Sequence, residues 1–131
     1  MHREEITMTT RIAILAEGVS LDAELFNSAC GNAIADALPL EAVPQVWGDE
    51  FYFEVPVVMP ADETATVRVN VGDIGYWPPG NALAIFFRPT PLSTDERPAP
   101  AGEVNLVGRI TGDATALRSV RGLSRIRVEK V

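Results

Sequence analysis

The chain has 131 residues, a net charge of −7, 47% hydrophobic residues and 22% charged residues. This length and composition predict one globular domain with its own core, and the acidic balance argues against a nucleic-acid partner. The single cysteine, Cys30, excludes an intramolecular disulfide, and the single histidine, His2, argues against histidine-based triads and most histidine metal sites. Neither a membrane-spanning run nor a signal peptide is visible, so we expect a cytoplasmic protein without a membrane partner.

The first part of the chain predicts a strand followed by a long helix. Residues 1–10 read as a tail and the start of the first strand, and residues 11–131 as the domain. Branched residues over 11–16 predict a buried strand. Apolar residues spaced three and four apart then predict one helix that begins at Ser20 or Asp22 and stops at Pro39.

The middle of the chain predicts two hairpins. Residues 43–58 suggest a bent hairpin that turns at Gly48-Asp49, and residues 67–71 suggest a further strand. A second hairpin is expected around Pro79-Gly80, with these residues at the centre of a type II turn.

Aromatic pairs flank this second turn, with Tyr76-Trp77 before it and Phe86-Phe87 after it. Neighbouring residues on a strand point to opposite faces. Either one member of each pair lines a surface groove, or all four pack in the core and at its rim.

The last part of the chain predicts a long exposed loop over 92–103, which is a candidate rim for a site. A strand over 104–110, a short helix over 113–120 capped by Asp113, and a final strand over 123–131 follow. Many short strands and few helices favour a closed barrel plugged by helices over an open sheet.

Three segments carry a family resemblance. They are V-G-D-I-G-Y-W-P-P-G-N-A-L-A-I-F-F over 71–87, W-G-D-E-F-Y-F over 47–53 and V-N-L-V-G-R-I-T-G over 104–112. They resemble the small prokaryotic cyclophilin-like domain family, over about residues 11–128. The resemblance implies a mainly β fold, a cyclophilin-like closed β-barrel of about eight strands with one long and one short α-helix. It also implies a distant relation to the cyclophilin peptidyl-prolyl isomerases.

The likeness to true cyclophilins reaches the proline pocket at one residue, Phe87. The segment 43–47, which resembles the strand that carries the cyclophilin arginine, has no arginine. Ile85 stands where cyclophilins have a glutamine, and Val104 stands where they have a histidine. Arg88 departs from the family, in which a glycine commonly follows the paired phenylalanines.

These observations leave two hypotheses on function. The first is a non-catalytic domain that binds a small molecule or an extended peptide in an aromatic cleft; the alternative is a peptidyl-prolyl isomerase of weak or altered activity. No catalytic residue, metal ligand or cofactor is assigned, and the protein is expected to be a monomer or a homodimer. The candidate ligand-binding residues are Trp47, Glu50, Tyr52, Tyr76, Trp77, Phe87 and Arg88. Glu50 is either a polar anchor in the cleft or a solvated strand end, and Arg88 either shields the aromatic surface or points to water.

Overall fold

A computed structural model describes residues 9–46, 50–87, 102–120 and 125–131, without the side chains of residues 118–120. Within these ranges the strands are β1 (Thr10–Ala16), β2 (Val19–Leu25), β3 (Leu40–Ala42), β4 (Gln45–Val46), β5 (Glu50–Glu54), β6 (Ala65–Thr66), β7 (Asp73–Trp77), β8 (Ala82–Phe86), β9 (Val104–Ile110) and β10 (Ile126–Lys130). One α-helix, α1, spans Ala29–Asp36, and 3-10 helices span Pro78–Gly80 and Ala114–Val120.

The strands form one sheet in the order β3-β10-β1-β2-β9-β7-β8-β5-β4, and β6 also pairs with β9. Only Val43 and Pro44 separate the two edge strands β3 and β4 along the chain. Because consecutive Cα atoms are about 3.8 Å apart, Ala42 and Gln45 lie within about 11 Å of each other. The sheet is therefore strongly curled, and the predicted mainly β architecture is confirmed. The described chain contributes ten strands to it, where about eight were predicted.

The larger core lies on one face of this curled sheet, which we call the inner face; the opposite face is the outer face. Helix α1 packs against the inner face through Cys30 and Ile34, which have no exposed surface. Residues of seven strands complete the core, among them Ile12, Ile14, Leu25, Phe51, Phe53, Ile74, Ile85, Val107, Ile126 and Val128.

The predicted long helix is wrong in its first half. Residues 19–25 form β2, which folds back on β1 through a turn in which Glu17 and Gly18 have φ of 27° and 84°. Gly18 adopts this left-handed conformation at little cost. Helix α1 begins only after Ser28, whose Oγ accepts a hydrogen bond from the Gly31 N–H at 3.0 Å.

The second hairpin is confirmed, but its turn is not of type II. The chain forms a 3-10 helix over Pro78–Gly80, and Asn81, with φ of 48°, takes the left-handed position. Glycine is required at position 80 for a different reason, because a Cβ there would lie 2.7 Å from the Trp77 ring.

Three smaller predictions have different outcomes. The strand expected over 67–71 is wrong, because the chain pairs with β9 only at Ala65–Thr66. The short helix after Asp113 is present as a 3-10 helix, and the Asp113 carboxylate accepts a hydrogen bond from the Thr115 N–H at 3.0 Å. The turn at Gly48-Asp49 and residues 92–101 of the predicted loop lie outside the described residues.

Strand β9 joins two halves of the sheet, and Gly108 marks a tight approach at this junction. Gly108 pairs with Leu25 of β2 and with Ile74 of β7. A Cβ at position 108 would lie 2.3 Å from the Glu24 carbonyl oxygen. A backbone atom in a paired strand has little freedom to move away, so this contact requires the sheet to shift.

We expect Gly108→Ala to lower the free energy of unfolding by about 1–3 kcal/mol or more, because the added methyl group overpacks the strand junction. Urea denaturation followed by circular dichroism measures this loss. Gly112→Ala is the matched control, since its Cβ would meet Leu21 at an ordinary 3.8 Å. Equal losses in the two variants would contradict the steric explanation.

Candidate functional site

Strands β5, β7 and β8 carry a second apolar layer on the outer face of the sheet. All five residues of β8 are buried. Leu83 and Ile85 belong to the main core, whereas Ala84 and Phe86 point the other way. The outer cluster, as we call this layer, consists of Val69, Ala84, Phe86 and Val104, with Tyr52 and Trp77 packed against it.

The outer cluster packs directly on the backbone of β7 at Gly75. A Cβ at Gly75 would lie 2.8 Å from Val104 Cγ2 and 3.5 Å from Phe86 Cε2. Both side chains therefore occupy the space above this glycine. The outer face is closed to water here, in contrast to the usual solvated face of an antiparallel sheet.

The pairing of β5 with β8 places Glu50 and Tyr52 on this same face. Glu50 lies opposite Phe86, and Tyr52 lies opposite Ala84. Directly opposed residues in an antiparallel pair project to the same side. The half-buried Tyr52 donates a hydrogen bond from its hydroxyl to Gln45 Oε1 of β4 at 2.9 Å, so its ring is held beside Glu50 along the strand.

Glu50 is the unusual residue of this face. Only 7% of its surface is exposed, and its Oε1 atom is buried without a hydrogen-bond partner. The two strands paired with β5 supply no ionisable side chain, because β4 is Gln45–Val46 and β8 is Ala82–Phe86. Burial raises the pKa of Glu50 to about 8, since removal of water disfavours the carboxylate. Glu50 is therefore mostly protonated at neutral pH, and the alternative of a solvated strand end does not fit its burial.

Two of the aromatic candidates lie on the inner face. Tyr76 is fully buried; its hydroxyl donates to the Val57 carbonyl oxygen at 2.5 Å and accepts from the Met59 N–H at 3.1 Å. Phe87 is also fully buried, with its ring centroid 4.6 Å from that of Phe51. Tyr76 thereby ties the loop after β5 to the core, and Phe87 fills the core.

The structure thus divides the predicted site residues. Glu50, Tyr52 and Trp77 belong to the outer face, and Tyr76 and Phe87 belong to the inner face. Trp47 and Arg88 lie outside the described residues, so their predicted part in ligand binding stays a prediction.

Some residues of this region were not among the candidates. Phe86 and Val104 belong to the outer cluster. The alternation of side chains along Ala82–Phe86 is the signal that puts Phe86 on the face opposite to that of Ile85. Asn105, which is fully buried, accepts from the Asp62 N–H at 3.0 Å and donates to the Pro60 carbonyl oxygen at 2.9 Å. Asn105 therefore has a structural role, which is to hold the loop that Tyr76 also ties.

The described ranges lack two further features, a cluster of metal ligands and a membrane-spanning helix. They contain no group of three or more histidine, cysteine, aspartate or glutamate residues placed to hold a metal ion. None of the helices in these ranges is both long enough and apolar enough to cross a membrane.

The comparisons with known proteins agree with this architecture. The family model described as cyclophilin-like matches residues 10–129, and the chain belongs to that family. The solution structure of a hypothetical protein from Archaeoglobus fulgidus is similar, with a TM-score of 0.79 and 34% sequence identity. The similarity covers 98% of this chain and 100% of the archaeal chain. No curated protein matches the chain at a significant level.

The burial of Glu50 predicts an unusual dependence of stability on pH. Its pKa is about 8 in the folded protein and close to the ordinary 4.5 in the unfolded chain. Between these two pKa values the folded state holds up to one more proton than the unfolded state. The Glu50 contribution to the free energy of unfolding therefore falls as pH rises. We expect the free energy of unfolding of the wild type to fall by a few kcal/mol between about pH 5 and about pH 8, and we expect Glu50→Gln not to show this fall.

Urea denaturation across this pH range measures the difference between the variant and the wild type. Glu54→Gln is the matched control, because Glu54 lies on the same strand and the same face but is exposed. The account is wrong if Glu50→Gln and the wild type show the same pH dependence.

Proposed function

We propose that the outer face beside Glu50 is a binding site, and that the protein is a non-catalytic domain for a small molecule or an extended peptide. One observation carries the proposal, namely the buried Oε1 of Glu50 without a hydrogen-bond partner. A buried polar group without a partner costs about 1–3 kcal/mol. A leucine or methionine at this position would avoid that cost, so the retained carboxyl group points to a function.

The surroundings of Glu50 have the composition of a ligand site. Such sites are mostly apolar and contain a few polar groups that fix the orientation of the ligand. Here the apolar part is the outer cluster, whose Tyr52 and Trp77 are half-buried and keep accessible surface. The polar part is the carboxyl group of Glu50, supplemented by the hydroxyl of Tyr52.

The inner face argues against the isomerase alternative. A prolyl isomerase needs an accessible apolar pocket and a donor directed at the imide nitrogen, so that the twisted amide binds more tightly than the planar one. Phe87, the one residue that resembles a member of that pocket, has no exposed surface and packs on Phe51. Family membership alone does not supply the activity, because one fold hosts many functions.

Titration of the ¹⁵N-labelled full chain with a fragment mixture, and separately with proline-containing extended peptides, tests this proposal by NMR. We expect shifts at the amides of Glu50 and Tyr52. Tyr52→Ala should weaken them, since it removes a half-exposed wall of the site, whereas Glu54→Ala should leave them unchanged.

Two results would contradict the proposal. One is that no probe shifts the outer-face signals. The other is that the wild-type chain accelerates cis–trans isomerisation of a proline peptide, which would favour the isomerase instead.

A further inference from the structure

The charges around Glu50 indicate what its ligand must supply. On the outer face, β5 adds only the exposed Glu54 at its opposite end, and β7 adds Asp73 at the end beside Phe86, two strands from Glu50. The cross-strand partner of Asp73 is Arg109, whose Nε is bonded to Glu24 Oε2 at 2.8 Å. Strands β4 and β8 add no charge at all. Arg68, beside Val69 of the outer cluster, is exposed, and no described cation forms an ion pair with the Glu50 carboxyl group.

We propose that the ligand of this face carries a cationic nitrogen, an ammonium or guanidinium group on an apolar body, which binds the Glu50 carboxyl group. The inference rests on the proposed function, because it names the chemistry of that same site. A cation supplies both the hydrogen-bond donor that the buried oxygen lacks and the opposite charge that stabilises a buried carboxylate.

Two features of the same surface favour a cation over a neutral donor. Tyr52, two positions along β5 from Glu50, places an aromatic ring on the same face, and aromatic rings attract ammonium and guanidinium groups. The net charge of −7 raises the local concentration of cations around the protein.

Binding then includes a proton transfer that balances without any other reactant. In the free protein at neutral pH, Glu50 carries a proton on its carboxyl group. When the cation binds, this O–H bond breaks and the proton passes to the buffer. The carboxylate left behind accepts a hydrogen bond from the cationic nitrogen. Up to one proton is therefore released for each ligand bound.

Calorimetric titration of the full chain with 2-phenylethylammonium at neutral pH tests the inference. In phosphate and in HEPES, which differ in ionisation enthalpy and carry no net positive charge, the heats should differ by the release of up to one proton, and NMR should locate binding at Glu50 and Tyr52. Glu50→Gln should weaken binding at least about tenfold, because a charge-assisted hydrogen bond is lost. It should also abolish the proton release. Glu54→Gln should bind like the wild type.

The neutral analogue 2-phenylethanol separates this inference from the proposed function. If it shifts the outer-face signals as strongly as the ammonium probe, the cation is not recognised, and the inference fails while the binding site stands. The inference is also overturned if the ammonium probe binds without proton release, or if it binds Glu50→Gln as tightly as the wild type. If neither probe binds, the cation inference fails, and the wider titration with peptides and fragments decides whether the face binds anything.

Discussion

The burial of strand β8 on both of its faces is the constraint on which this part of the protein depends. Leu83 and Ile85 pack in the main core, and Ala84 and Phe86 pack in the outer cluster. A side chain of β5 beside Phe86 is thus removed from water even when it projects to the outer side. Glu50 projects to the outer side beside Phe86, and its orphaned oxygen and raised pKa both follow from that position.

Patterns in the sequence predicted the elements whose periodicity is unambiguous. Alternation around Phe51 and Phe53, and the branched run over 11–16, correctly identified β5 and β1. Leu25 fits a helical stripe as well as the alternation of a strand, and with a cap expected at Ser20 or Asp22 it misplaced the helix start. The deciding feature is the reverse turn at Glu17-Gly18, which returns the chain onto β1 before a helix forms.

The site was less predictable, because burial arises from pairing between distant segments. The aromatic neighbours of Glu50 marked it as a candidate, but its loss of water comes from Phe86, which lies 36 positions later in the chain. Alternation likewise placed Tyr76 and Trp77 on opposite faces without saying which faces inward. The Val57 and Met59 backbone groups, which bond the Tyr76 hydroxyl, are what fix Tyr76 inside.

Membership of the cyclophilin-like family accounts for the curled sheet. The function that we propose for this chain lies on the outer face of that sheet. The central claim is that Glu50 is a buried carboxyl group, protonated at neutral pH and reserved for a ligand. The most direct measurement is an NMR titration of its side-chain ¹³C carboxyl signal in the free protein. The account predicts a midpoint at a pKa of about 8, and a midpoint near the ordinary 4.5 would contradict it.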